Sequence, residues 1–176
     1  MTVTTDNEIK IIIKHLHANF VRNYAIRKAI EDNYTNLLSN NLWHIISNSC
    51  LDIAVINWCS LFGSENDATH WKKCELRGIT DIDTQLLNEC EITKDNFVKL
   101  HTKITSYRNR AVAHIDLYNW HVEVPFMQQA LKVINVSSDI FSNHNGYEDL
   151  DIEQEFNNQT ILTRQLISSY IATSSN

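Results

Sequence analysis

Residues 93–117 read TKDNFVKLHTKITSYRNRAVAHIDL, and this stretch decides the fold class. Thr93 is the type of residue that caps a helix, its hydroxyl taking a free backbone N–H of the first turn. No glycine or proline interrupts the chain between this cap and Leu117. At roughly 100° per residue, Phe97, Leu100, Ile104, Tyr107, Ala111, Ile115 and Tyr118 fall on one apolar stripe. The spacing predicts a helix from the Thr93 cap to about residue 117. Arg108 and His114 break the pattern, since both lie within about 60° of the stripe's centre. Asn109 and Arg110 point away from it. A buried arginine must find an anion or a hydrogen-bonded partner, because an unpaired charge in the interior is prohibitive. Places where local rules fail tend to be functional.

The rest of the chain reads the same way. Three glycines and one proline in 176 residues leave little material for hairpins and tight turns. That scarcity argues against a sandwich, a barrel, a Rossmann fold or a glycine-rich phosphate loop. A first helix is capped by Thr5 or Asp6 and carries Ile9, Ile12, Ile13, Leu16, Phe20 and Val21, continuing through Tyr24, Ala25, Ala29 and Ile30. A second spans about 35–62, with Leu38, Leu42, Ile45, Ile46, Ser49, Ile53, Ile56 and Leu61 as its expected inward stripe. Gly63 ends it, in the left-handed role common for glycine. Residues 64–80 are irregular, with a short helix around Trp71. Asp81 or Asp83 caps a short helix carrying Leu86 and Leu87. Pro125 fits the first turn of a helix to about residue 141, with Met127, Ala130, Leu131 and Ile134 inward. After a turn at Gly146, a last helix takes in Phe156, Ile161, Leu162, Leu166 and Tyr170. The expectation is one domain over 1–176: an all-α bundle of long antiparallel helices, with no significant sheet.

Charge and cysteine usage narrow the class. The net charge of −6 is unevenly spread. Residues 1–93 carry −4, residues 115–176 carry −6, and residues 94–114 carry +4 from Lys94, Lys99, Lys103, Arg108 and Arg110 against Asp95. A short basic stretch in an acidic chain differs from a general nucleic-acid binder, but it suits a local phosphate site. Cys50, Cys59, Cys74 and Cys90 form no C-x-x-C pair, and no apolar signal segment stands at the N-terminus. A cytoplasmic protein is expected, with no membrane partner and no run of the ~20 apolar residues that a span needs.

The segment Arg108-Asn109-Arg110-Ala111-Val112-Ala113-His114-Ile115-Asp116 resembles the signature of the HEPN superfamily, an arginine, a polar residue, and a histidine four to six positions on. The wider run from Tyr107 to Leu131, together with Trp58-Cys59-Ser60-Leu61-Phe62-Gly63 and His70-Trp71, resembles its abortive-infection (AbiU-like) branch. The likeness covers about a quarter of the chain. It implies a metal-independent endoribonuclease, a toxin of a phage-defence or toxin–antitoxin system. It further implies a homodimer in which two such helices face each other and build one composite site, with no cofactor. His114 would then act as general base or acid and Arg108 would bind the scissile phosphate, with Asn109 and Asp116 in support. Lys99, Lys103 and Arg110 are candidates for RNA-backbone contact. An antitoxin or other defence-system protein is the implied partner. Asp116 stands where some HEPN toxins carry a tyrosine that a partner nucleotidyltransferase modifies, so that route of control is not implied.

Plainer readings stand beside these. Arg108 and His114 also suit a buried ion pair or dimer contact, Arg108 meeting Asp52 or Asp116, in a non-catalytic HEPN module that binds a nucleotide, RNA or a protein. An antitoxin-like chain whose basic helix meets an acidic toxin is a third class. Lys99, Lys103 and Arg110 equally fit a solvated helix face. His70 with Cys74, and His114 with His121, are each half of a metal site without a second pair, so no metal is expected. His15 and His17 face different ways, and Trp58 and Trp71 suit packing better than base stacking.

Overall fold

The structure is a computed structural model that describes residues 6–33, 37, 41–73, 81–112, 124–125, 127–145 and 150–174. The described residues form an all-α bundle of six α-helices, without a strand. They are α1 (Asp6–Asp32), α2 (Asn41–Phe62), α3 (Ile82–Glu89), α4 (Lys94–Tyr107), α5 (Met127–Asn145) and α6 (Ile152–Ser174), with a 3₁₀ turn at Trp71–Lys73.

α1 is the central element, because α2 packs along one side of it and α6 along another. Its interior residues are Ile13, His17, Phe20, Val21, Tyr24, Ala25 and Ala29, while Ile12 lies outside the core. α2 runs antiparallel to α1, since Arg27 near the end of α1 donates to the Ser47 carbonyl near the start of α2 (3.3 Å). α6 runs parallel to α1. Arg22 pairs with Glu155, and further along both helices Arg164 donates to Asp32 (2.8 Å). Phe156 packs on Tyr24 with ring centroids 5.7 Å apart.

Capping follows side-chain chemistry. The Thr93 hydroxyl accepts the Asn96 N–H (3.3 Å) and opens α4. Asp81 caps α3 from a left-handed backbone (φ 70°), accepting from the Thr84 N–H at 3.2 Å and its hydroxyl at 2.6 Å. An aspartate tolerates that region because its short side chain bonds locally. Gly63 ends α2 for another reason than the expected left-handed angle, which it does not adopt. A Cβ there would stand 2.3 Å from the Cys59 carbonyl oxygen.

Two expected stripes are corrected. On α2 the expected Leu61 is buried and Ile46 is half-buried against Ile30, Leu37 and Ile167. Leu42, Ile45, Ser49, Ile53 and Ile56 are exposed, and Cys50, Leu51, Ala54, Val55, Trp58, Cys59 and Phe62 are buried in their place. α2 is apolar all round, so periodicity offered two faces. The structure buries the one with alanine, cysteine and tryptophan, where small residues admit α1 closely. On α6 the expected Phe156 and Tyr170 pack against the core, but Ile161, Leu162 and Leu166 are exposed, while Ile152, Thr160, Thr163 and Ile167 face inward. The threonines return their hydroxyls to carbonyls one turn back and so bury no unsatisfied donor. α2 is long and apolar enough to cross a membrane by length and composition, although Asn, His, Ser and Asp interrupt it, and 56% of its most apolar window is buried inside the protein. α5 is described from Met127, two residues after Pro125, and extends to Asn145, beyond the expected end. The continuation of α4 towards residue 117, Leu38 and the turn at Gly146 lie outside the described residues.

Candidate functional site

α4 carries the candidate site at its C-terminal end. Leu100, Ile104 and Tyr107 are buried on the expected stripe, and Phe97 is half-buried against it. After Tyr107 the backbone changes to a π-helical turn, Arg108–Val112, packed against α2. An i→i+5 turn rotates the chain by less per residue than an α-turn, so the wheel drawn for a continuous helix holds up to Arg108 and not beyond. Such turns inside α-helices occur often at functional sites.

Arg108 is half-buried. Its Nε–H donates to the Asn109 Oδ1 at 3.0 Å, which orients the guanidinium from the next residue along. The same charge reaches Cys59 on α2, where burial pushes the thiol up to about 11 and Arg108 pulls it partly back. That thiol is a core group, not a nucleophile. Asp52, one of the expected partners of Arg108, is taken by its neighbour: the Tyr107 hydroxyl donates to Asp52 Oδ1 at 3.0 Å. Burial raises the Asp52 carboxyl, and the Tyr107 hydrogen bond and the Arg27 charge partly offset it. Among the described residues Arg108 forms no ion pair.

Lys99, Lys103 and Arg110 are exposed, Lys99 and Lys103 one turn apart on the outer side of α4. Asn109 is exposed beside Arg108. His114, Asp116 and His121 lie outside the described residues. Among the described residues, no group of three or more His, Cys, Asp or Glu is placed to hold a metal ion. His70 is buried, and Cys74 lies outside the described residues.

Sequence reasoning missed a cavity towards the other end of α4, whose α4 wall residues His101 and Phe97 lie about 10 and about 16 Å from Arg108 by helix rise. It has a volume of about 650 Å³ and is walled by Phe62, Trp71, Phe97 and His101. The His101 Nε2 lies 2.9 Å from the Phe62 carbonyl, as a donor, and its ring packs against Trp58. The rim is largely self-neutralised, with Lys72 bonded to Glu65 (3.0 Å) and Asp83 (2.7 Å). The only signal in the sequence was the aromatic content around Gly63, which reads equally as core.

Fold and site together define a helical bundle with a half-buried arginine in a π-turn at the end of a basic helix. No protein-family model, no curated protein and no solved structure matches the chain.

Proposed function

We propose that this chain is a metal-independent endoribonuclease of the HEPN type, the toxin of a phage-defence or toxin–antitoxin system, acting as a homodimer with a composite Arg108/His114 site. The observation that carries this reading is the half-buried Arg108 guanidinium, oriented by Asn109 in a π-helical turn and unclaimed by Asp52. A planar fork of donors at a helix end is suited to a phosphodiester. The exposed Lys99 and Lys103 upstream supply a track for the flanking backbone.

In the proposed reaction the RNA 2′-hydroxyl attacks the adjacent phosphorus and the 5′-oxygen leaves. The products are a 2′,3′-cyclic phosphate and a 5′-hydroxyl. His114 takes the proton from the 2′-oxygen or returns one to the leaving oxygen, and Arg108 stabilises charge growing on the phosphate oxygens.

The test is cleavage of structured RNA in excess chelator, with the product ends identified. Cleavage should persist without metal, leave cyclic phosphates, and vanish in Arg108→Ala and in His114→Ala. Cleavage by the double variant at the parent's rate sinks the reading. The non-catalytic module then takes its place, favoured by the same Arg108–Asn109 contact acting as a binding fork.

A further inference from the structure

The outer face of α2 carries a pattern that the core does not explain. Its exposed residues are Asn41, Leu42, Ile45, Asn48, Ser49, Ile53 and Ile56, and none is charged. Leu42 is 56% exposed, Ile45 62%, Ile53 44% and Ile56 45%. On a helical wheel Leu42, Ile45, Ser49, Ile53 and Ile56 lie in one narrow stripe, about 21 Å from end to end. A helix apolar on every side is normally buried on every side.

The stripe is symmetric in sequence. About Ser49, the four large side chains stand four residues away (Ile45 and Ile53) and seven residues away (Leu42 and Ile56) on either side. Reversing the helix about Ser49 therefore keeps the spacing of the large side chains, isoleucine falling on isoleucine and leucine on isoleucine. We infer that this stripe pairs with its own copy in a second chain, the two α2 helices crossing antiparallel on a two-fold axis at Ser49. The inference takes up the dimer of the proposed function and does not depend on ribonuclease activity.

A two-fold contact requires one patch to be complementary to itself, and this arrangement supplies that. Ile45 meets the partner's Ile53, and Leu42 meets the partner's Ile56. The small Ser49 at the crossing lets the axes approach to about 8 Å. The absence of charge also argues for like meeting like, since an ionic partner finds nothing on this face to pair with. A lipid surface fits less well. Interfacial helices oppose their apolar face with lysine and arginine, whereas the other face of α2 is the protein core. The stripe adjoins the candidate site, because Asp52 at its edge holds Tyr107, the residue before Arg108. Two helices alone bury less than the ~800 Å² per partner of a standard interface, so a dimer in the micromolar range is expected.

Sedimentation of the full chain over a dilution series tests this, with circular dichroism to check folding. The parent should dimerise, and Ile45→Glu with Ile53→Glu should be monomeric throughout with unchanged helix content, because the two carboxylates would face each other across the axis. Mild oxidation should link Ser49→Cys into a disulfide dimer, since a residue on the axis meets itself. Ile56→Cys, which faces Leu42, should not link. A parent that stays monomeric up to roughly 100 µM overturns the inference and the composite-site dimer together. A parent dimer that survives the double substitution, or links no better through position 49 than through 56, overturns the α2 contact alone. A monomeric parent that floats with anionic vesicles unless Ile45 and Ile53 are replaced assigns the stripe to lipid and overturns it as well.

Discussion

The two faces of α2 both carry large apolar side chains and have opposite fates. The inner face mixes small residues with one very large one: Ala54, Cys50 and Cys59 beside Trp58, whose ring packs on Phe62 at 5.0 Å. The outer face is isoleucine and leucine spaced around a serine. Hydrophobicity alone does not choose between them. Shape does, because a helix can approach closely only where small side chains make room for a large one to interdigitate. Each face therefore has a distinct signature under substitution, graded from the interior outward.

The largest effect is expected at Trp58. Trp58→Ala should destabilise the fold by about 3–5 kcal/mol in a denaturant titration, through lost burial and the cavity left behind. Among the described residues the Trp58 indole N–H is buried without an acceptor. Trp58→Phe deletes that orphan donor along with some volume, so it should cost far less than alanine. Equal losses for the two substitutions would mean that the indole nitrogen has a partner.

His17 reports on the same interior from α1. Its Nδ1 lies 2.9 Å from the Ile13 carbonyl and donates to it, and Nε2 lies 2.9 Å from the Ser137 hydroxyl on α5. The ring stacks on Phe141. Burial lowers its pKa from 6.5 to about 4. The folded state therefore binds the proton less readily than the unfolded chain. Stability from this group is full above pH 6.5 and is lost as the pH falls towards 4, by roughly 3 kcal/mol. His17→Asn should flatten that part of the stability–pH curve. An unchanged slope would place the acid sensitivity elsewhere.

Much of this organisation was legible in the sequence. The Thr93 and Asp81 caps, the breadth of α1 and the buried run from Leu100 to Tyr107 follow from side-chain chemistry and period. Three things were not. Most of the inward face of α2 was misassigned, Leu61 and Ile46 excepted, because a helix apolar all round has no moment to read. On α6 Phe156 and Tyr170 pack inward as expected, while the buried threonines look polar in a one-dimensional pattern. The π-turn after Tyr107 has no residue signature, since it is a change of hydrogen-bond register, not of composition. As for the candidate site, the half-burial of Arg108 was readable from the wheel. Its Asn109 contact, and the preference of Asp52 for Tyr107, depend on rotamers that no spacing encodes.

At the boundary between the faces stands the Tyr107–Asp52 hydrogen bond, and its effect should be intermediate. Tyr107→Phe keeps the ring in the core and removes one hydrogen bond to a carboxylate, worth about 1–2 kcal/mol. The Asp52 carboxyl, already raised by burial and held back partly by that bond, should rise further. A side-chain NMR titration reads this directly. An Asp52 midpoint that does not move would show that the hydroxyl is not its main local support.

The smallest effect on the isolated chain is expected on the outer face, where it separates folding from association. Ile45 is mostly exposed, so Ile45→Ser should change the stability of a dilute sample by no more than about 0.5 kcal/mol. Stability in a self-associating protein contains a mass-action part, however, because anything that binds only the folded state raises its midpoint with concentration. The parent's thermal midpoint should therefore climb as the protein is concentrated, and that of Ile45→Ser should stay flat. At high dilution the two should coincide. If they differ by the same amount at every concentration, Ile45 acts within its own chain, and the contrast between a folding face and an associating face of α2 fails.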